Sequence, residues 1–462
     1  MNRRMNEPEV RTSATARAGA VASASRREAA VPQGRISRFL HFGRAVGELA
    51  LSSATLGISR WAQGDKPDLS QLMLTPANAK RLAERLSAMR GAVMKVGQLM
   101  SMDAASQGVL PAEFAKLLGG LSNAAHTMPA AQLTAVLKRE YGASWQSRFR
   151  SLNLVPVAAA SIGQVHCAET HEGQILALKI QYPGVRASID SDMANLALLA
   201  RLPGLVPAGL DMAPLLARVR EQLRHEADYR AEARAATRYR LRLGADPVLW
   251  VPAVVPEHCT AHIIASEFSP GVRVDEWAAN HARQAERDRV AAALVRLAVR
   301  EFFEMGLVQT DPNFGNYLFD ASTGKLALLD FGAAERVLPT RAKQLTELSR
   351  AMRNGDATLI RAAATRAGFI SPEDPARQSQ AVVDMLLAAG EPLRHAGPYD
   401  FATSDLFSRL FTQGRAQFFG DGFARTPPPD LLFLQRKFVG TFLLCVRMRA
   451  RVDVSQAFSP HL

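Results

Sequence analysis

The sequence predicts an α+β protein with two lobes, a small lobe that contains a β-sheet and a larger, mostly helical lobe. Apolar residues repeat at about every second position between residues 152 and 180, but at the helical spacing before and after this stretch. The stretch Ser269-Pro270-Gly271 has the composition of a hinge. The tripeptide Asp330-Phe331-Gly332 follows the apolar run 326–329 beyond it. These observations predict a sheet before the hinge and a candidate site after it.

The chain before the small lobe is predicted to consist of a tail and a helical extension. Residues 1–34 are rich in Ala, Arg and Ser and poor in large apolar side chains, so we expect a disordered basic tail. A targeting segment is the alternative, and three glutamates weigh against it. Residues 35–150 are predicted to be helical. Their first helix, from Ile36 to Leu49, has basic residues between apolar ones and either lies on a membrane or packs on protein.

The two lobes are predicted over residues 151–268 and 269–462. A hairpin in the small lobe has its turn at His171-Glu172-Gly173. Two helical patterns and two strand-like runs follow it, and the helical lobe ends in a long helix. The predicted limits are 162–168 and 174–181 for the hairpin strands, 185–201 and 212–243 for the helices, 249–255 and 262–267 for the later strands, and 431–452 for the last helix.

The composition is typical of a globular protein, and the charge favours an anionic partner. Hydrophobic residues make up 48% of the 462 residues and charged residues 21%. The net charge of +13 favours a nucleotide, a membrane surface or nucleic acid, although an arginine-rich surface alone would give the same value. The three cysteines lack metal-ligand spacing and fit a reducing compartment. No apolar run reaches the roughly 18 residues of a membrane-spanning helix.

Five residues have the types and spacing of a site for phosphoryl transfer from a nucleotide. Asp311 is predicted to be the catalytic base or orienting carboxylate, and Asn316 and Asp330 are predicted to bind Mg²⁺ through oxygen atoms. Lys179, near the end of the second hairpin strand, is predicted to hold the phosphates and Glu232 to pair with it. Each residue alone also fits a turn, a cap or a strand end. Their combined spacing favours bound ATP or ADP with Mg²⁺.

The loop expected to cover the phosphates is rich in alanine where protein kinases have glycine. Its residues Ala158, Ala159, Ala160 and Ser161 are predicted to contact the nucleotide, as are Glu267 and Ser269 beside the hinge. Alanine Cβ atoms crowd a loop that approaches phosphate, so we expect an altered nucleotide geometry. Gln309-Thr310 stand where kinases have His-Arg, and no Ala-Pro-Glu follows Gly332, which disfavours a protein substrate.

Two further motifs resemble those of the UbiB/AarF family of atypical kinase-like proteins, which support ubiquinone biosynthesis. Lys95-Val96-Gly97-Gln98 matches the family's Lys-x-Gly-Gln motif, and Glu226-Ala227-Asp228 matches its Glu-x-Asp motif. The alanine-rich loop is a third family hallmark, and the resemblance covers residues from about Met94 to Arg451. It implies a two-lobed protein-kinase-like fold. It also implies a regulatory helix over the cleft, with Lys95 and Gln98 against Glu226 and Asp228.

The resemblance also implies an activity and a location. Members of the family bind ATP or ADP with Mg²⁺, show ATPase activity and associate peripherally with anionic membranes. Implied partners are lipid or quinone intermediates and quinone-biosynthesis proteins, whereas nucleic acid is not expected. The implied location is cytoplasmic at the inner membrane, or the mitochondrial matrix in a eukaryote. A true protein kinase and a nucleotide-sensing pseudokinase scaffold remain as alternatives.

Overall fold

The computed structural model describes residues 127–200, 213–311, 313–415 and 429–462. They divide into two compact units, one formed by the residues up to 231 with 254–268, the other by 232–253 with 269–462. Each unit contains a sheet, helices and a hydrophobic core, which is the predicted α+β class. The predicted tail and the first helix of the extension lie outside the described residues. The domain limits predicted from the sequence remain predictions.

Short strands and helices follow one another along the described chain. Up to residue 268 the elements are α1 (Ala130–Tyr141), β1 (Ser151–Leu152), β2 (Ala158–Ala159), β3 (Gly163–Glu169), β4 (Ile175–Gln181), α2 (Val185–Ala200), α3 (Ala213–Glu226), α4 (Tyr229–Leu243), β5 (Leu249–Trp250) and β6 (Ile263–Glu267). From residue 269 they are β7 (Val272–Arg273), α5 (Val274–Asn280), α6 (Gln284–Arg300), a π-helical turn (Glu301–Met305), β8 (Leu307–Gln309), a 3-10 turn (Phe314–Asn316), β9 (Tyr317–Asp320), β10 (Lys325–Leu328), β11 (Ala334–Arg336), α7 (Pro339–Asn354), α8 (Ala357–Ala367), α9 (Ala376–Ala389), α10 (Glu391–Arg394), β12 (Tyr399–Asp400), α11 (Leu406–Arg415), α12 (Pro429–Arg447), β13 (Arg451–Val452) and α13 (Val454–Phe458).

The sheet of the first unit is antiparallel, with the strand order β1-β3-β4-β6 and with β2 paired to β3. Strands β3 and β4 form the predicted hairpin, which is confirmed, and Gly173 in its turn has a φ of 84° that glycine adopts without strain. Along β4, Leu176, Leu178 and Ile180 are completely buried. Because side chains alternate across a strand, Lys179 points to the opposite face of the sheet.

Helices cover both faces of this sheet. Helix α1 packs Leu133 and Leu137 into the core that holds the buried leucines of β4. On the other face, Met193 of α2 and Val219 of α3 form a second cluster with Ile264, which is paired with Lys179 in the register of β4 and β6. The face of the sheet that carries Lys179 is therefore also covered.

The structure corrects the predicted helix 212–243, which is in fact two helices, α3 and α4. Ala227 and Asp228 lie between them. The Oδ1 atom of Asp228 accepts a hydrogen bond of 2.9 Å from the backbone N–H of Ala231 and so caps the start of α4. Buried apolar residues continue on both sides of the break, so the periodicity alone gave no sign of it.

The second unit contains a four-stranded sheet in the order β5-β10-β9-β7 and a separate pair formed by β8 and β11. Strand β5 is parallel to β10, and the other pairs are antiparallel. Trp277 of α5 stacks on Phe319 of β9 with 3.8 Å between the ring centroids. Phe302 of the π-helical turn packs against Val308 and Phe438. These contacts hold β8 and β9 against helices.

Two other predicted elements are shorter than the sequence pattern indicated. Of the predicted strand 249–255 only Leu249–Trp250 joins a sheet, because Pro252 has no N–H to donate; Val254 forms an isolated bridge with Ser266. The last long helix ends at Arg447 and not at residue 452. Arg449 has a φ of 51°, a left-handed backbone that ends the helix before β13.

Candidate active site

Lys179 lies within the sheet of the first unit and contacts an aromatic ring. It is opposite Val165 of β3 and Ile264 of β6. Its Nζ atom is 5.4 Å from the centre of the buried Tyr229 ring, a distance at which a cation is attracted to the π-electrons. A Cβ atom on Gly163 would lie 2.7 Å from the Tyr229 hydroxyl oxygen, so glycine at this position is what lets the tyrosine pack here.

The alanine-rich loop is a tight turn that contacts the Glu-x-Asp motif. Ala158 and Ala159 form β2, and the N–H of Ala160 donates to the carbonyl of Gly163 at 2.9 Å. The hydroxyl of Ser161 donates a hydrogen bond of 2.8 Å to Oε2 of Glu226. Within the first unit, the structure therefore brings the loop and the first carboxylate of the motif together.

Several other predicted residues are located, but their predicted roles remain predictions. Glu232 lies in the first turn of α4 and is 6% exposed. Glu267 is half-buried at the end of β6, and Ser269 is buried. Asp228 acts as the cap described above. Lys95 and Gln98 lie outside the described residues, so their place over the cleft remains a prediction.

The predicted catalytic loop of the second unit is held on both sides of Asp311. Before it, the N–H and hydroxyl of Thr310 both donate to the carbonyl of Ala333, at 3.0 and 2.8 Å. After it, the Nδ2 atom of Asn316 donates to the carbonyl of Asp311 at 3.2 Å. This bond uses the amide nitrogen of Asn316, and Mg²⁺ would take the amide oxygen.

The predicted metal-binding loop begins at Asp330, whose backbone is in the left-handed region with a φ of 61°. A residue with a Cβ atom pays roughly 1–2 kcal/mol for this conformation, and aspartate adopts it most readily when its side chain bonds locally. Here Oδ1 of Asp330 accepts from the N–H of Gly332 at 3.1 Å. The N–H of Leu329 donates to the carbonyl of Asn316 at 2.8 Å, which ties this loop to the catalytic loop.

Gln309 bonds directly to both loops. In the sequence it stood out only as a departure from the kinase pattern. Its Nε2 atom donates to the carbonyl of Asp311 at 2.8 Å and to the carbonyl of Asp330 at 3.2 Å. The side chain is 5% exposed. The sequence did contain a signal for Gln309. It is a polar residue at the end of a buried strand beside the predicted catalytic loop, and a buried polar side chain needs a hydrogen-bond partner.

A second group missed from the sequence is the Glu301 cluster, formed by Glu301, Tyr239, Gln309 and Lys437. The carboxylate of Glu301 is completely buried in the π-helical turn, a distortion that recurs at functional sites. It accepts from the Tyr239 hydroxyl at 2.6 Å and from the N–H of Gln309 at 3.0 Å, and it lies 2.6 Å from Nζ of Lys437. The signal was an acid and a lysine that each directly precede two apolar residues, Phe302-Phe303 and Phe438-Val439.

The electrostatics of this cluster favour an ionised pair. Burial raises the pKa of Glu301, and the Lys437 ammonium opposes that rise. Burial alone would lower the pKa of Lys437, but the Glu301 carboxylate outweighs it and raises that pKa above its ordinary value. Three donors converge on one carboxylate, which is the arrangement that stabilises its charge. The Tyr239 ring also packs on Phe331 at 4.7 Å between centroids.

A cation accompanies the predicted catalytic carboxylate. Nη2 of Arg436, on α12, is 3.6 Å from Oδ1 of Asp311, and both side chains are largely buried. An ion pair at this depth keeps a carboxylate oriented. Arg436 is not among the site residues predicted from the sequence.

The donor set suits a magnesium ion that is shared with phosphates. Among the described residues, no three His, Cys, Asp or Glu side chains lie close enough together to hold a metal ion by themselves. Asn316 and Asp330 instead offer an amide oxygen and a carboxylate on two loops tied by a hydrogen bond. Mg²⁺ is usually held by one or two carboxylates together with substrate phosphates, so these residues fit it.

Lys179 in the first unit and the residues Asp311, Asn316 and Asp330 in the second are of the types that the kinase-like class of enzymes uses. A model of the ABC1 atypical kinase-like domain matches residues 120–364. The chain is 35% identical to the mitochondrial atypical kinase COQ8 of Saccharomyces cerevisiae, over 94% of this chain and 85% of that protein. It is also 35% identical to the mitochondrial atypical kinase COQ8B of Rattus norvegicus, over 94% and 81%.

A solved structure supports the same assignment. The Mycobacterium tuberculosis protein Rv3197, solved in complex with erythromycin, superposes with a TM-score of 0.57 and 25% identity, over 82% of this chain and 94% of that one. The chain belongs to the ABC1 atypical kinase-like family and is an atypical kinase. The resemblance to the UbiB/AarF family and the kinase-like fold class are thereby confirmed. Within the described residues, no helix has the length and apolarity needed to cross a membrane.

Proposed function

We propose that this protein is a Mg²⁺-dependent ATPase or phosphotransferase that supports ubiquinone biosynthesis at a membrane surface. The atypical kinase relatives and the nucleotide-binding character of the fold support the general activity. The acceptor of the phosphoryl group is a small or lipid-like molecule, or water. The missing Ala-Pro-Glu argues against a protein acceptor.

One observation carries the proposal: the backbone carbonyl of Asp311 accepts from both Gln309 and Asn316, and Gln309 also bonds Asp330. These contacts fix the backbone of the predicted catalytic and metal-binding residues relative to one another. Asp311 would orient the attacking group, and Lys179 would hold the phosphates. Mg²⁺ bound with ATP would neutralise charge that develops on the phosphates.

Membrane association is the second part of the proposal. The net charge of +13 favours an anionic surface, and the names of the yeast and rat relatives call those proteins mitochondrial. We propose peripheral attachment to the inner membrane, with quinone intermediates, lipid and other quinone-biosynthesis proteins as partners. Flotation with anionic and with neutral liposomes tests this, and equal binding to both would contradict it.

The activity is tested by phosphate release from Mg²⁺-ATP in the presence of anionic liposomes. We expect Asp330→Asn to lower the rate by about 10²-fold or more, because charge compensation at the phosphates is lost. The matched control is Asp320→Asn, which changes a buried turn carboxylate bonded to Ser322 and Thr323 in the same unit. Its rate should stay close to that of the wild type. Equal loss in both variants would contradict the assigned role of Asp330.

Quinone levels in cells that carry Asp330→Asn distinguish the enzymatic proposal from its alternatives. If Asp330→Asn supports normal quinone levels, the chain acts as a pseudokinase scaffold and the enzymatic proposal fails. If purified protein phosphorylates a protein substrate as its main reaction, it is a true protein kinase. Accumulated quinone precursors in Asp330→Asn cells, with normal protein abundance, would agree with the proposal.

A further inference from the structure

We propose that Gln309 is a positioning residue that sets the geometry between the predicted catalytic and metal-binding residues. The inference rests on the proposed function, since it concerns the same site. It starts from one nitrogen atom, Nε2 of Gln309, which donates to the backbone carbonyls of Asp311 and Asp330 at 2.8 and 3.2 Å. These are the two residues whose carboxylates would act on the substrate and on the metal.

A carboxamide is suited to this position because its nitrogen carries two hydrogens. Each hydrogen can serve a different acceptor, so one rigid planar group spans both loops. A histidine ring nitrogen carries only one hydrogen, and a glutamate carries none when ionised. The glutamine therefore makes a connection that the histidine of ordinary kinases cannot make with one nitrogen.

The two backbone carbonyls that accept from Gln309 belong to residues that other hydrogen bonds also hold in place. The carbonyl of Asp311 also accepts from Asn316, so both of its lone pairs are used by residues of the site. Asp330 holds a left-handed backbone, which persists only where neighbouring bonds fix it. The bond from Gln309 to the Asp330 carbonyl and the bond from Gly332 to the Asp330 carboxylate are two such constraints.

Gln309 is itself held from the other side. Its N–H donates to Oε1 of Glu301 at 3.0 Å, and Glu301 is fixed by Tyr239 and Lys437. The side-chain amide therefore extends from an anchored backbone, and its direction is set by the Glu301 cluster. Because the Tyr239 ring also packs on Phe331, the same cluster contacts two consecutive residues of the predicted metal-binding loop, Asp330 and Phe331.

The experiment compares Gln309→Met, which keeps the unbranched shape but removes both donors, with Gln309→His, which restores one donor. The control is Gln344→Met, since Nε2 of Gln344 also donates to a backbone carbonyl, that of Arg366, at 2.9 Å in the same unit. Phosphate release is measured at varied ATP and varied Mg²⁺. We expect Gln309→Met to lower kcat by about 10²-fold and to raise the Mg²⁺ requirement, because misplacing a reacting group by about 1 Å has an effect of this size.

KM for ATP should change far less than kcat, and Gln309→His should recover part of the rate. The control variant should match the wild type. Unchanged kcat and Mg²⁺ requirement in Gln309→Met would overturn the proposal. So would a loss of rate that Gln309→His does not reduce, because that would indicate packing and not hydrogen bonding.

A second measurement does not depend on activity. Hydrogen exchange without nucleotide follows the N–H groups of Leu329 and Thr310, which hold the two loops. We expect these to exchange about tenfold faster in Gln309→Met, while the N–H of Ile360 in α8 keeps its rate. Faster exchange of all three would show global destabilisation and would overturn the proposal. If the wild type releases no phosphate, the proposed function fails, and this exchange pattern still decides whether Gln309 positions the loops.

Discussion

Two buried polar clusters, one in each unit, differ in charge. The cluster of the first unit is neutral, whereas the cluster of the second unit contains an ion pair. The neutral group is the His166 cluster, formed by Met128, Asn153, Gln164 and His166. The charged group is the Glu301 cluster. Both clusters connect a strand to neighbouring loops, so comparing them shows what a buried ion pair contributes to stability.

The His166 cluster holds the chain before α1 onto β3. The amide oxygen of the completely buried Gln164 accepts from the N–H of Met128 at 2.7 Å. The amide nitrogen lies 2.7 Å from Nε2 of His166, whose Nδ1 lies 2.9 Å from the carbonyl of Asn153. Because that carbonyl can only accept, Nδ1 carries the proton and Nε2 accepts from Gln164. Each of these three hydrogen bonds joins one donor to one acceptor, and the cluster buries no charge.

The two kinds of cluster hold different segments. The neutral network has a modest desolvation cost and holds the chain before α1 and the segment at Asn153 onto the interior strand β3. A buried ion pair costs far more to desolvate but resists rearrangement, because separating the charges leaves one of them unpaired. The second unit places it beside the predicted catalytic and metal-binding loops.

The largest expected effect comes from breaking the ion pair. Glu301→Leu leaves Lys437 buried without its counter-ion, so we expect the free energy of unfolding to fall by about 3–5 kcal/mol. Urea unfolding measures this. The double variant Glu301→Leu with Lys437→Met removes both charges and should recover most of the loss. A single variant as stable as the wild type would show that the charge is not what holds this cluster.

Lowering the pH should destabilise the folded state through His166 of the neutral cluster. Burial lowers the pKa of His166 to about 4, below the ordinary value of 6.5 for the unfolded chain. Between these values the unfolded state binds the extra proton, so stability falls as the pH drops through this window. The slope contributed by His166 is at most about 1.4 kcal/mol per pH unit.

Urea unfolding at about pH 7 and about pH 5 measures this contribution. His166→Gln cannot titrate, so its stability should change less between the two conditions than that of the wild type. The same pH dependence in both proteins would show that His166 is not the responsible group.

The smallest expected effect concerns the break between α3 and α4, where neither kind of cluster is involved. Asp228→Ala removes the cap of α4, so we expect a loss of about 1 kcal/mol in the free energy of unfolding. Asp228→Asn keeps a capping oxygen and should lose less. Thermal or urea unfolding of the two variants tests this. Equal loss in both would contradict a capping role and would favour a role for the charge itself.

The sequence allowed the hairpin and the spacing of the site residues to be predicted because both are local properties. The alternation in β4 placed Lys179, and the spacing of Asp311, Asn316 and Asp330 indicated a nucleotide site. The break at Asp228 was missed, since apolar residues occur at helical spacing on both sides of it. Gln309 and Arg436 were missed for another reason: their partners lie 21 and 125 positions away in the chain, as the pairs Gln309–Asp330 and Arg436–Asp311 show.

What the sequence by itself determined is the set of residue types that the chemistry requires, together with the family to which the chain belongs. The tertiary structure alone decided how the two loops of the second unit are held. Buried donors and acceptors must be paired, and in this protein the pairs form between residues distant in sequence. No local pattern specifies that Glu301, Lys437 and Gln309 meet, because only the packing of α12 and the π-helical turn against β8 brings them together.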